Sequence, residues 1–194
     1  MKAPIIAALA TMSMLVTVAQ AQAGNLLTNG SFEAGNFTGW TLSGATDHTF
    51  VENGSFDGFS AQDGWAFAAL GPVGADGVLS QAFSDTPGQL YEATFAVAFD
   101  GATQNDFSVT GPGGLTLSLT DQGISGWVNY YGYFIGSGVD SISFSYRNDN
   151  GYLALDTVGV YVAGAPEPAT WALMIVGIGG MGAALRARRR KMPV

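Results

Sequence analysis

Tyr91-Glu92-Ala93-Thr94-Phe95-Ala96-Val97-Ala98-Phe99 puts Tyr91, Ala93, Phe95, Val97 and Phe99 on one side of an extended chain. A period of two is the period of a strand. Ile142, Phe144 and Tyr146 alternate in the same way with Ser141, Ser143 and Ser145. Further strands are expected within 65–70, 78–83, 107–110, 115–119 and 128–135. Between these runs lie turn formers such as Asp63-Gly64, Gly71-Pro72, Pro87-Gly88, Asp100-Gly101, Gly111-Pro112-Gly113-Gly114 and Asp149-Asn150-Gly151. Many short strands separated by turns predict an all-β sandwich or barrel. No long stretch of helical period and no exact internal repeat interrupts the pattern.

The two ends differ from this middle. Lys2 precedes an apolar run from Pro4 to Ala19, which ends in Ala19-Gln20-Ala21-Gln22-Ala23. A cation, an apolar core and small residues at alternate positions describe a secretory signal peptide over 1–23, cleaved after Ala23. At the other end, residues 169–185 are apolar and Gly-rich and could span roughly 26 Å as a helix. That is a short membrane span. Arg186, Arg188, Arg189, Arg190 and Lys191 follow at once, and such a cluster keeps its end cytoplasmic. The expected plan is a signal peptide at 1–23, a folded body at 24–163 and a linker at 164–168. A transmembrane helix at 169–185 and a basic cytoplasmic tail at 186–194 complete it.

Charge is divided along the same lines. The full chain carries 7 Lys and Arg, 15 Asp and Glu, one His and no Cys. Between Gly24 and Pro168 a single cation, Arg147, faces all fifteen acids, a formal −14. Such a body repels nucleic acid and anionic membrane surfaces. It suits divalent cations and neutral glycans. Without cysteine, no disulfide staples it although export would permit one.

Pro166-Glu167-Pro168, the following Ala169-Thr170-Trp171-Ala172-Leu173-Met174, the Gly-rich span and the Arg cluster together resemble the PEP-CTERM sorting signal. The same signature also carries the label of an ice-binding-protein C-terminal motif. The resemblance implies recognition by exosortase, a membrane-embedded cysteine transpeptidase. The tail would hold the protein transiently in the inner membrane, with the body outside the cytoplasm. Removal near Pro166, Glu167 and Pro168 would then pass the body to the cell surface or beyond.

A second resemblance covers the body. Asn25-Leu26-Leu27-Thr28-Asn29-Gly30-Ser31-Phe32-Glu33 with Gly39-Trp40 is similar to the opening of galactose-binding-like jelly rolls, carbohydrate-binding modules among them. Tyr152 to Val160 is similar to their closing strand, with Thr157 in place of its second polar residue. The resemblance implies a jelly-roll β-sandwich in which the first and last strands pair, bringing Glu33 near Asp156. Related modules often hold a structural Ca²⁺ there, with hard oxygen ligands. Glu33 and Asp156 are then the side-chain ligands, with a carbonyl from Asn29 or Ser31. The alternative is that both acids are solvated turn and capping groups.

Signals of catalysis are few. His48 is the only histidine, and no Gly-x-Ser-x-Gly elbow, phosphate loop or zinc motif accompanies it. No pair of acids stands out as a glycosidase couple. Exposed aromatics that could stack on sugars are the more informative group. Trp127, Tyr130, Tyr131 and Tyr133 are the candidates, with Trp127, Tyr131 and Tyr133 on one face of their strand and Tyr130 and Phe134 on the other. One set must pack inward. The expectation is a non-enzymatic surface protein that binds or organises extracellular polysaccharide. A purely structural matrix protein is the rival, with a polysaccharide hydrolase or an ice-binding protein further behind.

Overall fold

The computed structural model describes residues 24–163. The expected signal peptide, the Pro166–Pro168 motif, the membrane helix and the Arg186–Arg190 cluster lie outside the described residues. Among the described residues no helix is long and apolar enough to cross a membrane.

Among the described residues twelve strands follow one another: β1 (Thr41–Gly44), β2 (Thr49–Asn53), β3 (Ser55–Phe56), β4 (Phe59–Ser60), β5 (Ala66–Leu70), β6 (Gly77–Ser84), β7 (Leu90–Phe99), β8 (Asn105–Thr110), β9 (Thr116–Thr120), β10 (Val128–Ile135), β11 (Val139–Asn148) and β12 (Leu153–Val162). They form two five-stranded antiparallel sheets and one small hairpin. The first sheet has the order β1-β6-β11-β8-β9, the second β10-β7-β12-β5-β2, and β3 pairs with β4. The crossovers between sheets are those of a jelly roll, so the expected fold class stands.

Alternation decides what lies between the sheets. Tyr91, Ala93, Phe95, Val97 and Phe99 of β7 are all buried, as are Ile142, Phe144 and Tyr146 of β11. They meet across the sandwich, with the Phe95 and Phe144 rings 5.4 Å apart at 75° and Phe99 edge-on to Phe107 at 6.4 Å. Leu79, Val109, Leu155, Val158 and Val160 complete the same cluster. This core closes within one compact unit that contains all the described residues. A unit with its own closed core is expected to fold on its own.

The outward residues of the first sheet form hydroxyl ranks. Thr41, Ser80, Ser143, Thr110 and Thr116 stand side by side across all five strands. Ser43, Val78, Ser145, Ser108 and Ser118 form the next row. Neither row carries an aromatic ring or a charge.

The outer face of the second sheet is partly covered. The β3–β4 hairpin lays Phe56 and Phe59 over it, where a second apolar cluster gathers Phe67, Ala69, Ala98 and Ala154, with Phe50, Trp127 and Tyr152 at its margin. The N-terminal segment runs beside β12. Leu26 N donates to Val160 O at 2.9 Å, and Val158 N donates to Gly30 O at 3.0 Å. The expected pairing of the chain's opening with its last strand is thus met by hydrogen bonds at a β-bulge, rather than by a regular strand. The bulge lies between Asp156 and Gly159, with Thr157 at φ 51°. Phe32, in the turn before Glu33, also has positive φ, 57°. That conformation disfavours a bulky residue. It is held by complete burial of the ring against Phe37 and Trp40.

Candidate functional site

The even-numbered residues of β7 form the floor of the second sheet's outer face. Register places partners on either side of each. Tyr133 of β10 and Tyr161 of β12 flank Glu92, and Tyr131 and Gly159 flank Thr94. Asn129 and Asp156 flank Ala96. Leu90 lies beside Ile135 at the open end. The floor changes character along its length. Leu90 is exposed, Glu92 and Thr94 are half-buried, and Ala96 and Ala98 are wholly covered.

The open half is a platform rimmed by aromatic rings. Tyr131 is 71% exposed and Tyr133 55%. Their rings meet edge to face at 6.0 Å. The Tyr133 hydroxyl donates to Glu92 Oε1 at 3.1 Å. That carboxylate pushes the Tyr133 phenol above its ordinary pKa. On the other side the Tyr161 ring lies over Gly159, and a Cβ at 159 would overlap it. Burial, with the nearby Asp63 charge, raises the Tyr161 phenol as well. Both of these phenols therefore stay neutral beside the Glu92 carboxylate. Apolar ring faces beside a few fixed polar groups can hold the face of a sugar while hydrogen-bonding its hydroxyls.

The closed half begins at Gln62. Its backbone N–H and that of Asp63 both donate to Asp156 Oδ2, at 2.9 and 3.2 Å. Its side-chain Nε2 donates to Asn129 Oδ1 at 3.0 Å, and its Oε1 accepts from the Thr157 hydroxyl at 3.1 Å. Gln62 therefore ties β12 to β10 above Ala96. Beyond it lies a cavity of about 320 Å³ between the hairpin and the 121–127 loop, lined by Asp57, Phe59, Ala98, Ile124 and Trp127 among others.

The sequence candidates divide between these places. Tyr131 and Tyr133 stand on the platform. Trp127 shares their face but belongs to the closed half: its indole N–H donates to Ser60 O at 2.9 Å and its ring meets Phe67 edge-on at 6.2 Å. Tyr130 stands apart from them. Strand alternation turns it to the opposite face, where it stacks on Phe95 at 5.4 Å and 17° and packs against the core. Glu92, Thr94, Tyr161 and Gln62 were not singled out in the sequence. The parity of β7 would have found the first two. The bulge at Thr157 breaks the parity that would have shown Tyr161, and Gln62 is placed by long-range contacts alone.

Glu33 and Asp156 both act on the segment 62–66. Glu33 Oε1 accepts from the N–H groups of Trp65 and Ala66 at 2.9 and 3.0 Å. Asp156 is fully buried and takes a third N–H, from Thr157, at 2.6 Å. Burial pushes its carboxyl up to about 6 despite these three donors. Asp63 adds a further acid beside them, accepting from the Ser31 hydroxyl at 3.3 Å. The donor set is all oxygen, which is the chemistry of a hard cation. Among the described residues no group of three or more His, Cys, Asp or Glu side chains is arranged as a metal cage. A cation here would draw most of its ligands from the backbone. His48 lies away from the platform, 3.3 Å from the Tyr152 hydroxyl.

Residues 165–190 match the family model of the PEP-CTERM protein-sorting motif. The chain carries a PEP-CTERM sorting motif. It covers the expected Pro166, Glu167, Pro168 and the Arg186, Arg188, Arg189 and Arg190 cluster. No curated protein matches the chain. Among solved structures, the body of this PEP-CTERM protein is similar to the carbohydrate-binding module TmCBM61, solved in complex with beta-1,4-galactotriose. The TM-score is 0.58 at 22% identity, over 72% of this chain and 99% of that one. It is also similar to the enzymatically active domain of tailspike protein 4 from bacteriophage CBA120, with TM-score 0.54 and 20% identity. That match spans 71% of this chain and 21% of that one. The CBM22-1 xylan-binding domain of Paenibacillus barcinonensis Xyn10C aligns with TM-score 0.47 and 21% identity, over 75% of this chain and 99% of that one. The first two likenesses support the jelly-roll fold.

Proposed function

We propose that this protein is an exported, exosortase-sorted surface protein whose body binds extracellular polysaccharide without transforming it. The observation that carries the reading is the platform, where Tyr131, Tyr133 and Tyr161 surround the half-buried floor of Glu92 and Thr94. Apolar sugar faces would stack on the rings, and Glu92 and Thr94 would accept and donate hydrogen bonds at the floor. The formal −14 of Gly24–Pro168 favours neutral chains over acidic ones. A hydrolase needs a protonated carboxyl that reaches the scissile bond. The acid pushed toward neutrality nearest the platform, Asp156, is fully buried beneath the 62–63 segment, which supports a binding role.

Sorting supplies the place. A signal peptide over 1–23 would export the chain, residues 169–185 would anchor it, and exosortase would release the body near Pro166-Glu167-Pro168. A structural Ca²⁺ held by Glu33 and Asp156, with backbone carbonyls, belongs to the same proposal. Its supports are the all-oxygen donor set and the crowding of Asp63 against the buried Asp156. A melting temperature unmoved between Ca²⁺ and chelator would remove the ion from the account.

The deciding experiment is glycan binding by the purified 24–163 body, with Tyr131→Ala and Tyr133→Ala beside it. The expected result is retention on at least one neutral polysaccharide, lost in both variants while their melting temperatures stay within a few degrees of the parent. Absence of retention on any glycan would leave a matrix protein without a ligand. Release of reducing ends from a bound polymer would make it a hydrolase.

A further inference from the structure

The floor of β7 is open over Leu90, Glu92 and Thr94 and closed over Ala96 and Ala98. The boundary coincides with Gln62. Its amide spans from Thr157 on β12 to Asn129 on β10, passing above the strand that carries Ala96. Its backbone is fixed from below by Asp156. From the Leu90 rung to the Thr94 rung is four residues of strand, ~13 Å, roughly two or three linked pyranose rings. A chain lying along that floor meets the Gln62 bridge and the Asn129 amide end-on. Beyond the bridge the same file continues to Ala98 and Trp127 and into the 320 Å³ cavity.

We infer that the Gln62 bridge makes this a site for the ends of neutral glycan chains and for short oligosaccharides, rather than for the middle of long ones. The inference rests on the proposed glycan-binding role and adds to it which part of a polymer is recognised. Terminal hydroxyls find an amide N–H and an amide oxygen at the bridge, with the Asp63 carboxylate beside them. An internal residue would have to cross the Gln62 bridge. Replacing Gln62 by Ala removes the cross-strand amide and leaves the backbone N–H bonds to Asp156 in place. The floor then runs on toward Trp127.

The test uses the 24–163 body and its Gln62→Ala variant. The probes are β-1,4-linked galactan, xylan and glucan, each as intact polymer, as the same mass of partly depolymerised polymer, and as trimer and hexamer. Isothermal titration gives sites per gram and affinity. For whichever probe binds, wild type should gain sites in proportion to the number of chain ends, and trimer and hexamer should bind within about twofold of each other. Gln62→Ala should favour hexamer over trimer by roughly tenfold, about 1.4 kcal/mol, through one more stacked ring. Its sites on polymer should follow mass instead of ends. Wild-type sites that follow mass, with Gln62→Ala indistinguishable, would overturn the end-recognition inference and leave glycan binding intact. No binding of any probe by either protein would overturn both.

Discussion

Lowering the pH from 7.5 to 5 should stabilise the body, and Asp156 is the reason. Its carboxyl has an ordinary value of 3.8 and is pushed up to about 6 in the folded body, chiefly by burial. A group whose folded pKa is raised contributes stability in acid and loses it as pH rises through the folded value. At pH 7.5 the buried carboxylate is ionised and the folded state carries nearly the whole penalty of a shift of roughly two units, about 3 kcal/mol. At pH 5 the folded state is mostly protonated while the unfolded chain is ionised, and about half of that penalty has gone. The gain is about 1.5 kcal/mol. For a body of about 140 residues it corresponds to roughly 5 °C in melting temperature. The assay is thermal unfolding followed by circular dichroism in chelator at both pH values, on wild type and on Asp156→Asn. The variant keeps an oxygen toward the Gln62 and Asp63 N–H groups but cannot titrate, so less than half of the shift should remain. Asp85, whose carboxyl is raised by burial and by the neighbouring Asp140 carboxylate, acts in the same direction. Equal pH slopes in the two proteins, or a wild type that is less stable at pH 5, would refute the argument. Bound Ca²⁺ would hold Asp156 ionised and flatten the wild-type slope, which separates the metal-loaded body from the metal-free one.

Three further outcomes follow from other parts of the fold. Phe144→Ala should cost about 3–5 kcal/mol in denaturant unfolding, because its ring is fully buried where both sheets meet. Gly159→Ala should displace the Tyr161 ring from the platform, weakening glycan retention severalfold while the unfolding free energy from chemical denaturation changes by less than about 1 kcal/mol. Asp149 is held down to about 2 by Arg147 and by the Gly74 N–H. The stability this contributes is present above the carboxyl's unfolded value and is lost as pH falls through about 2. Arg147→Met should therefore flatten the acid limb of the stability curve below pH 4.

The fold was legible where one face of a strand is apolar. β7, β10 and β11 appear in the sequence because burial on one side and solvent on the other impose the period of two. β1 to β4 do not, because Thr41–Ser60 is rich in Gly, Ser and Asp and its elements are two to five residues long. The aromatic run 127–135 marked the right strand, and alternation separated its faces, but periodicity alone cannot say which face meets the core. That choice sent Tyr130 inward onto Phe95 and left Tyr131 and Tyr133 outside. Glu33 and Asp156 were singled out together, and both grip the same short segment. Whether a cation joins them depends on backbone carbonyl positions that no residue pattern records. Gln62 shows the general limit. Its role comes from partners 67 and 95 residues away, and nothing beside it in the chain announces them.

The hydroxyl ranks of the first sheet have a consequence for assembly. A face of Ser and Thr stays wetted, since two copies meeting there would exchange water hydrogen bonds for equivalent ones and hide almost no oily area. The larger cluster of exposed apolar groups lies on the opposite side, where Tyr131, Tyr133, Ile135 and Leu90 stand in solvent. Those are the groups a sugar would cover. Under the proposed function, self-association through this side and sugar capture would compete for one patch, and a copy engaged in either would be closed to the other.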